Sequence, residues 1–199
     1  MNDVELVAQL QRFEPEAVDV LMSRFADRLY NYAYYHSSDH HLAEDIVSET
    51  LTRIVEKIGD YQQREVPFKA WVFRIARNLL ADHYRHRSRH PSVSLEAASD
   101  ESSSLYETLS SDYGGADGGE LATQVAQRED LRQALNLLPE DQRTVFILRF
   151  IEGNDLEQVV TILNKSIASI KSLQFRATRN LRQILDDNNC GKKRRVGYE

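Results

Sequence analysis

The sequence predicts an all-α protein: two small helical domains joined by a flexible acidic linker, with a helix-turn-helix in the C-terminal domain. Three observations carry this. Apolar residues recur at three- and four-residue steps through most of residues 3–90 and 120–186, with no convincing strand pattern. Between these blocks, residues 91–119 are dominated by Ser, Asp, Glu and Gly and end in Gly114-Gly115-Ala116-Asp117-Gly118-Gly119. Charge is segregated along the chain: residues 1–63 carry −7, 64–90 +5, 91–130 −8 and 131–199 +4, although the whole chain is only −6. The basic end, 187–199, with Lys192-Lys193-Arg194-Arg195, is expected to be a disordered tail.

The first domain begins with Leu6, Leu10 and Phe13. Pro15 suits the first turn of a second helix, with Val18, Leu21, Met22, Phe25, Leu29 and Tyr32 facing inward. Ser37-Ser38-Asp39 supplies a turn and cap. The helix from about His40 to Ile58 has an inner stripe of Leu42, Ile46, Val47, Leu51, Ile54, Val55 and Ile58. Its outer face carries Asp45, Ser48, Glu49, Thr52, Arg53 and Glu56. A loop over 59–67 follows, and Pro67 opens a helix that buries Phe68, Trp71, Val72, Ile75, Ala76, Leu79 and Leu80. The opposite face shows Lys69, Phe73, Arg74, Arg77, Asn78 and Arg85. An aromatic among cations fits a nucleic-acid surface; the competing reading is that Phe73 packs on a neighbouring helix.

In the second domain a helix carries Leu121, Val125, Leu131, Leu135 and Leu138. Pro139 opens another, with Glu140 and Asp141 in its first turn and Val145, Phe146, Leu148 and Phe150 as its apolar residues. Gly153 ends it, and Asn154 or Asp155 can cap the short helix that follows. Asn164-Lys165 makes a turn, and Ser166 is a good N-cap for a longer helix. There Ile167, Ile170, Leu173, Ala177, Leu181 and Ile184 form one stripe, while Lys171, Ser172, Phe175, Arg176, Arg179 and Arg182 lie on the other face. From Lys165 to Leu185 there are five basic residues and no acid. A short helix, a tight turn and a projecting basic helix is the arrangement that enters the major groove. The competing reading is a solvated basic surface helix. Phe175 argues against it, because an aromatic off the apolar stripe can touch a thymine methyl while Lys171 and Arg176 reach phosphates or guanine edges.

Other chemistries are poorly supported. Glu44, Asp45 and Glu49 are paired carboxylates with no partner group to complete an active site. His36, His40 and Glu44 have ligand-like spacing, but the Ser-Ser-Asp turn interrupts the helix and no second ligand pair follows; His83, His86 and His90 could bind a metal but read better as the end of a basic surface. The glycines of the linker follow no strand and precede no Gly-Lys-Ser/Thr. No enzyme activity, metal or cofactor is therefore expected. Cys190 is the one cysteine, so no disulfide framework exists and a reducing, cytoplasmic setting is expected. No signal peptide is visible and no apolar run reaches about 18 residues, so no membrane insertion is expected.

Three segments together resemble the extracytoplasmic-function (ECF) group of bacterial RNA polymerase sigma factors. Ala43-Glu-Asp-Ile-Val-Ser-Glu-Thr-Leu-Thr-Arg-Ile-Val55 resembles the polymerase-binding helix of that family. Pro67-Phe-Lys-Ala-Trp-Val-Phe-Arg-Ile-Ala-Arg-Asn-Leu-Leu-Ala-Asp-His83 is similar to the segment that meets the −10 promoter element. Leu138-Pro-Glu-Asp-Gln-Arg-Thr-Val-Phe-Ile-Leu-Arg-Phe150, with Ile170-Lys-Ser-Leu-Gln-Phe-Arg-Ala177, is similar to the domain that reads the −35 element. The order is that of the family. Gly153–Leu163 lacks the usual alanine- and isoleucine-rich wording, Asn164 stands where glycine is common, and Ile167-Ala-Ser169 replaces a small-residue run.

The resemblance implies a non-catalytic initiation factor whose partners are core RNA polymerase, promoter DNA and an anti-sigma factor. It implies a region 2-like domain over 3–90, the linker over 91–119 and a region 4-like domain over 120–186. Asp45, Glu49, Thr52, Arg53 and Glu56 would dock on the polymerase. The loop from Asp60 to Val66, with Asp60, Tyr61 and Arg64, would hold a flipped −10 base. Phe73, Arg74, Arg77, Asn78 and Arg85 would follow the nearby backbone. Lys171, Ser172, Phe175, Arg176 and Arg179 would enter the upstream major groove. The alternative is a free-standing helix-turn-helix regulator that binds duplex DNA without polymerase, although no dimerisation heptad is evident. A third reading is a protein-binding helical adaptor, which is compatible with capture by an anti-sigma factor.

Overall fold

The computed structural model describes residues 1–62, 64, 66–89 and 128–195, with side chains through Asp187. The described residues are helical apart from short turns. They cluster into two units, one holding residues 1–33 and 39–89 and the other 34–38 and 128–195. The linker expected over 91–119, and the helix start expected at Leu121 and Val125, lie outside the described residues.

The first unit opens with α1 (Asp3–Gln11). Asn2 caps it: its side chain accepts from the Glu5 amide while the Glu5 carboxylate accepts from the Asn2 amide. The helix stops at a turn in which Phe13 takes a left-handed φ of 58° and is 68% exposed. Helix α2 (Pro15–Ser37) buries Ala17, Leu21, Phe25, Leu29 and Tyr32. Met22, expected inside, is 49% exposed, because the buried arc centres on Leu21 and Phe25 and extends toward Ala17.

Helix α3 (His40–Lys57) is capped by the Asp39 side chain on the Leu42 amide. It buries Leu42, Ala43, Ile46, Val47, Thr50 and Ile54 and runs into a 3-10 turn, Ile58–Asp60. Helix α4 (Phe68–Arg89) packs against α3. Phe68 meets Phe25 edge-on at 5.7 Å and stacks on Trp71 at 5.9 Å.

In the second unit, α5 (residues 128–136) buries Ala134 and Leu135, with Leu138 buried just beyond it. Helix α6 (Glu140–Phe146) begins after Pro139 and passes into a π turn, Ile147–Ile151. The wider turn brings Ile147 and Leu148 inside and leaves Phe150, expected to be a core residue, 50% exposed. Helices α7 (Leu156–Leu163) and α8 (Ile167–Arg195) complete the unit, and α8 packs on both α6 and α7. Ile170, Leu173, Ala177 and Leu181 are buried as expected, whereas Ile167, in the first turn, is 47% exposed. The helix continues to Arg195 through most of the stretch expected to be a disordered tail; beyond Gly191 no helix-breaking residue intervenes before that point.

Candidate nucleic-acid interface and docking face

The helix-turn-helix is built by specific local chemistry. The Asn154 amide and its side-chain Nδ2 both donate to the Leu148 carbonyl at 2.9 Å, closing the π turn over the break at Gly153, where φ is 57°. Asp155 then caps α7 in a reciprocal box with Gln158, so of the two candidate caps Asp155 is used and Asn154 is buried. Asn164 ends α7 with φ 51° and ψ 45°, a left-handed conformation that Asn tolerates better than most residues. Ser166 accepts from the Ser169 amide and starts α8.

On α8 the five side chains expected to meet DNA, Lys171, Ser172, Phe175, Arg176 and Arg179, are all exposed. The steps between them keep them on one side of the helix, opposite the buried stripe. Phe175 is 69% exposed. It borders a shallow groove of about 360 Å³ with Arg149, Leu156, Lys171, Gln174 and Thr178. Arg149 donates to the Asn154 carbonyl and, at 3.3 Å, to Gln174 Oε1, which ties the π turn to α8.

In the first unit, Asp45, Glu49, Thr52 and Glu56 are exposed and Arg53 is half-buried, forming one polar stripe along α3. Arg53 pairs with Glu49 at 2.6 Å, and Thr52 donates to the Ser48 carbonyl at 2.9 Å. Asp45, Glu49 and Arg53 also line a groove of about 540 Å³ that reaches Leu79, Asp82, His83 and His86 of α4. Among the described residues no group of His, Cys, Asp or Glu has the arrangement of a metal site.

Two residues expected at the −10 surface are placed elsewhere. Phe73 is fully buried, edge-on to Tyr32 at 5.7 Å and beneath the Arg28 guanidinium at 5.7 Å. The buried arc of α4 is wider than a single stripe: Phe73 lies three residues before Ala76, about 60° round the helix, and α2 covers that side through Tyr32. Tyr61 is 6% exposed, its ring 4.8 Å from Trp71 and 5.6 Å from Phe68, and its hydroxyl donates to the Val66 carbonyl at 2.6 Å. Burial and, secondarily, the Asp3 carboxylate push its phenol up to about 12. Asp60, Arg64, Asn78 and Arg85 are exposed, and Arg74 and Arg77 half-buried, so a polar surface remains without the two rings. Arg85 pairs with Asp82. Sequence reasoning missed Gln11, whose Nε2 donates to the carbonyls of Ile58 at 3.0 Å and Tyr61 at 3.1 Å. A lone glutamine at a helix end gives no periodic signal.

Comparison with known proteins is consistent with this geometry. Residues 21–90 match the family model described as Sigma-70 region 2, and residues 128–181 match Sigma-70, region 4. The chain is 31% identical over 192 residues to the ECF RNA polymerase sigma factor BldN of Streptomyces coelicolor, covering 93% of this chain and 66% of that protein. It is 34% identical over 143 residues to the ECF RNA polymerase sigma factor EcfG of Rhodopseudomonas palustris, covering 72% of this chain and 71% of that one. Among solved structures it is similar to the sigma factor RpoE of Bartonella quintana, crystallised with the anti-sigma factor NepR. The TM-score is 0.63 and the identity 28%, covering 84% of this chain and 96% of that chain. The chain thus spans just under two thirds of the BldN relative and more of the others. Matches to both regions, in order, do not favour the free-standing regulator.

Proposed function

Because the chain belongs to the ECF group of RNA polymerase sigma factors, we propose that it binds core polymerase and directs promoter recognition and melting as a non-enzymatic initiation factor acting in the cytoplasm. The observation that carries this reading is the exposed row Lys171, Ser172, Phe175, Arg176 and Arg179 on the second helix of a helix-turn-helix whose opposite stripe is buried. Each element has a physical task. The cations of α8 neutralise phosphates and reach guanine edges in the upstream major groove, and Phe175 contacts a thymine methyl. The α3 stripe docks on the polymerase with mixed charge, which favours orientation over raw affinity. Asp60, Arg64, Arg74, Arg77, Asn78 and Arg85 handle the −10 strand.

The functional partition is a core- and −10-binding domain over 3–90, a linker over 91–119 and a −35-binding domain over 120–186. An anti-sigma factor is a further partner by similarity to the RpoE complex. No helix among the described residues is long and apolar enough to cross a membrane. The test of docking is a pull-down with core polymerase. Asp45→Arg with Glu49→Arg should weaken capture at least ten-fold and leave the helical content unchanged. Undiminished capture would remove α3 as the docking face.

A further inference from the structure

The connection between α3 and α4 is fastened from outside its own sequence. Gln11, at the C-terminal end of α1, directs one amide nitrogen at two carbonyls, those of Ile58 in the 3-10 turn and Tyr61 just beyond it. Tyr61 in turn is wedged against Phe68 and Trp71, and its hydroxyl reaches forward to the Val66 carbonyl. Three hydrogen bonds therefore fix the backbone at both ends of the connection, at Ile58 to Tyr61 and at Val66. Two of the three come from a single side chain nearly fifty residues away. The exposed residues Asp60 and Arg64 project from the connection held this way. Holding a loop in its working geometry before the ligand arrives removes an ordering cost at the moment of capture.

We infer that Gln11 and Tyr61 are positioning residues for promoter melting. They touch no DNA; they hold Ile58, Tyr61 and Val66, the described ends of the segment between α3 and α4, in place beside the base extruded from the −10 element, so that α1 becomes part of the melting apparatus. The inference rests on the sigma reading above and deepens it. Both Tyr61 and Gln11 are well suited. The tyrosine hydroxyl is used internally, and the glutamine amide supplies two donor hydrogens from one planar group.

The test uses polymerase reconstituted with the full chain. The probe is the non-template −10 strand of a promoter mapped by run-off transcription, intact or with one abasic site at each position in turn. Wild-type holoenzyme should bind the intact strand about ten-fold more tightly than the most damaging abasic strand, as expected for a base taken into a fitted site. Gln11→Leu, which keeps the side-chain bulk and removes both donations, should bring that ratio close to one while core binding stays unchanged. Tyr61→Phe, which removes only the bond to Val66, should lower the ratio several-fold. A general loss of folding would instead weaken core binding and both strands in parallel, and that result overturns the inference. Unchanged ratios in both variants also overturn it. If Gln11→Leu does not fold, Tyr61→Phe decides the question alone. A wild-type holoenzyme that initiates but shows no intact-to-abasic ratio refutes the inference only; a chain that does not initiate with core polymerase refutes the sigma reading itself.

Discussion

Replacing Phe73 with Ala separates a core residue from a DNA contact. The ring is fully buried, edge-on to Tyr32 and under Arg28. Removing it forfeits about 2–3 kcal/mol of transfer free energy. The lost aromatic pair adds about 1 kcal/mol. With the cavity term, Phe-to-Ala changes in cores cost about 3–5 kcal/mol in total. A helical unit of this size has stability toward the lower end of about 5–15 kcal/mol, so the loss approaches the whole. Urea unfolding followed by tryptophan fluorescence is the suitable assay. Trp71 is the only tryptophan in the chain and sits beside Tyr61, so its signal reports the first unit alone. At about 1.3 kcal/mol per molar urea, the midpoint should fall by roughly 3 M. Phe73→Leu, which keeps most of the volume, should cost only about 1–1.5 kcal/mol. A Phe73→Ala protein with the wild-type midpoint and weakened promoter binding would refute the reasoning and return the ring to the DNA surface.

Arg176→Ala should cost about 1–3 kcal/mol in binding the upstream element, measured by anisotropy with a labelled duplex and holoenzyme; unchanged binding would show that α8 presents another face. Asn164→Gly should be neutral or raise stability by up to about 1 kcal/mol, because glycine enters the left-handed turn without strain, whereas Asn164→Val should lower it by about 1 kcal/mol or more in thermal unfolding. Tyr61 has a raised folded-state pKa, so its contribution to stability is full below the ordinary value of 10.0 and is lost as pH climbs through about 12. Ultraviolet titration should accordingly show one of the nine tyrosines ionising near that upper value, and Tyr61→Phe should remove that step.

Much of the fold was legible because helical periodicity is a repeated signal. Leu42, Ile46, Val47 and Ile54 of α3 and Ile170, Leu173, Ala177 and Leu181 of α8 followed from residue spacing alone, whereas Leu51, Val55 and Ile184, expected on the same stripes, are only half-buried. The caps at Asp39, Asp155 and Ser166 followed from local side-chain chemistry. The exposed row on α8 was legible for the same reason, being the complement of a clean stripe. Phe73 and Tyr61 were misread because each sits beside cations or loop residues in sequence. The breadth of a buried arc depends on how many neighbours a helix has, and sequence spacing carries no count of neighbours. Met22 and Phe150 failed similarly, the first at the margin of an arc and the second in a π turn that shifts the register. Gln11 was invisible because its bonds run to carbonyls almost fifty residues away and depend on tertiary placement.

Run-off transcription separates a sigma factor from a free-standing regulator in one experiment. Purified chain is mixed with core RNA polymerase and promoter fragments from its source genome, with core alone and chain alone as controls. Discrete transcripts that require both components are expected, and they should disappear when Lys171, Arg176 and Arg179 are replaced together by Ala. Absence of initiation, with tight binding of duplex DNA by the chain alone, would contradict the sigma reading and favour the free-standing regulator.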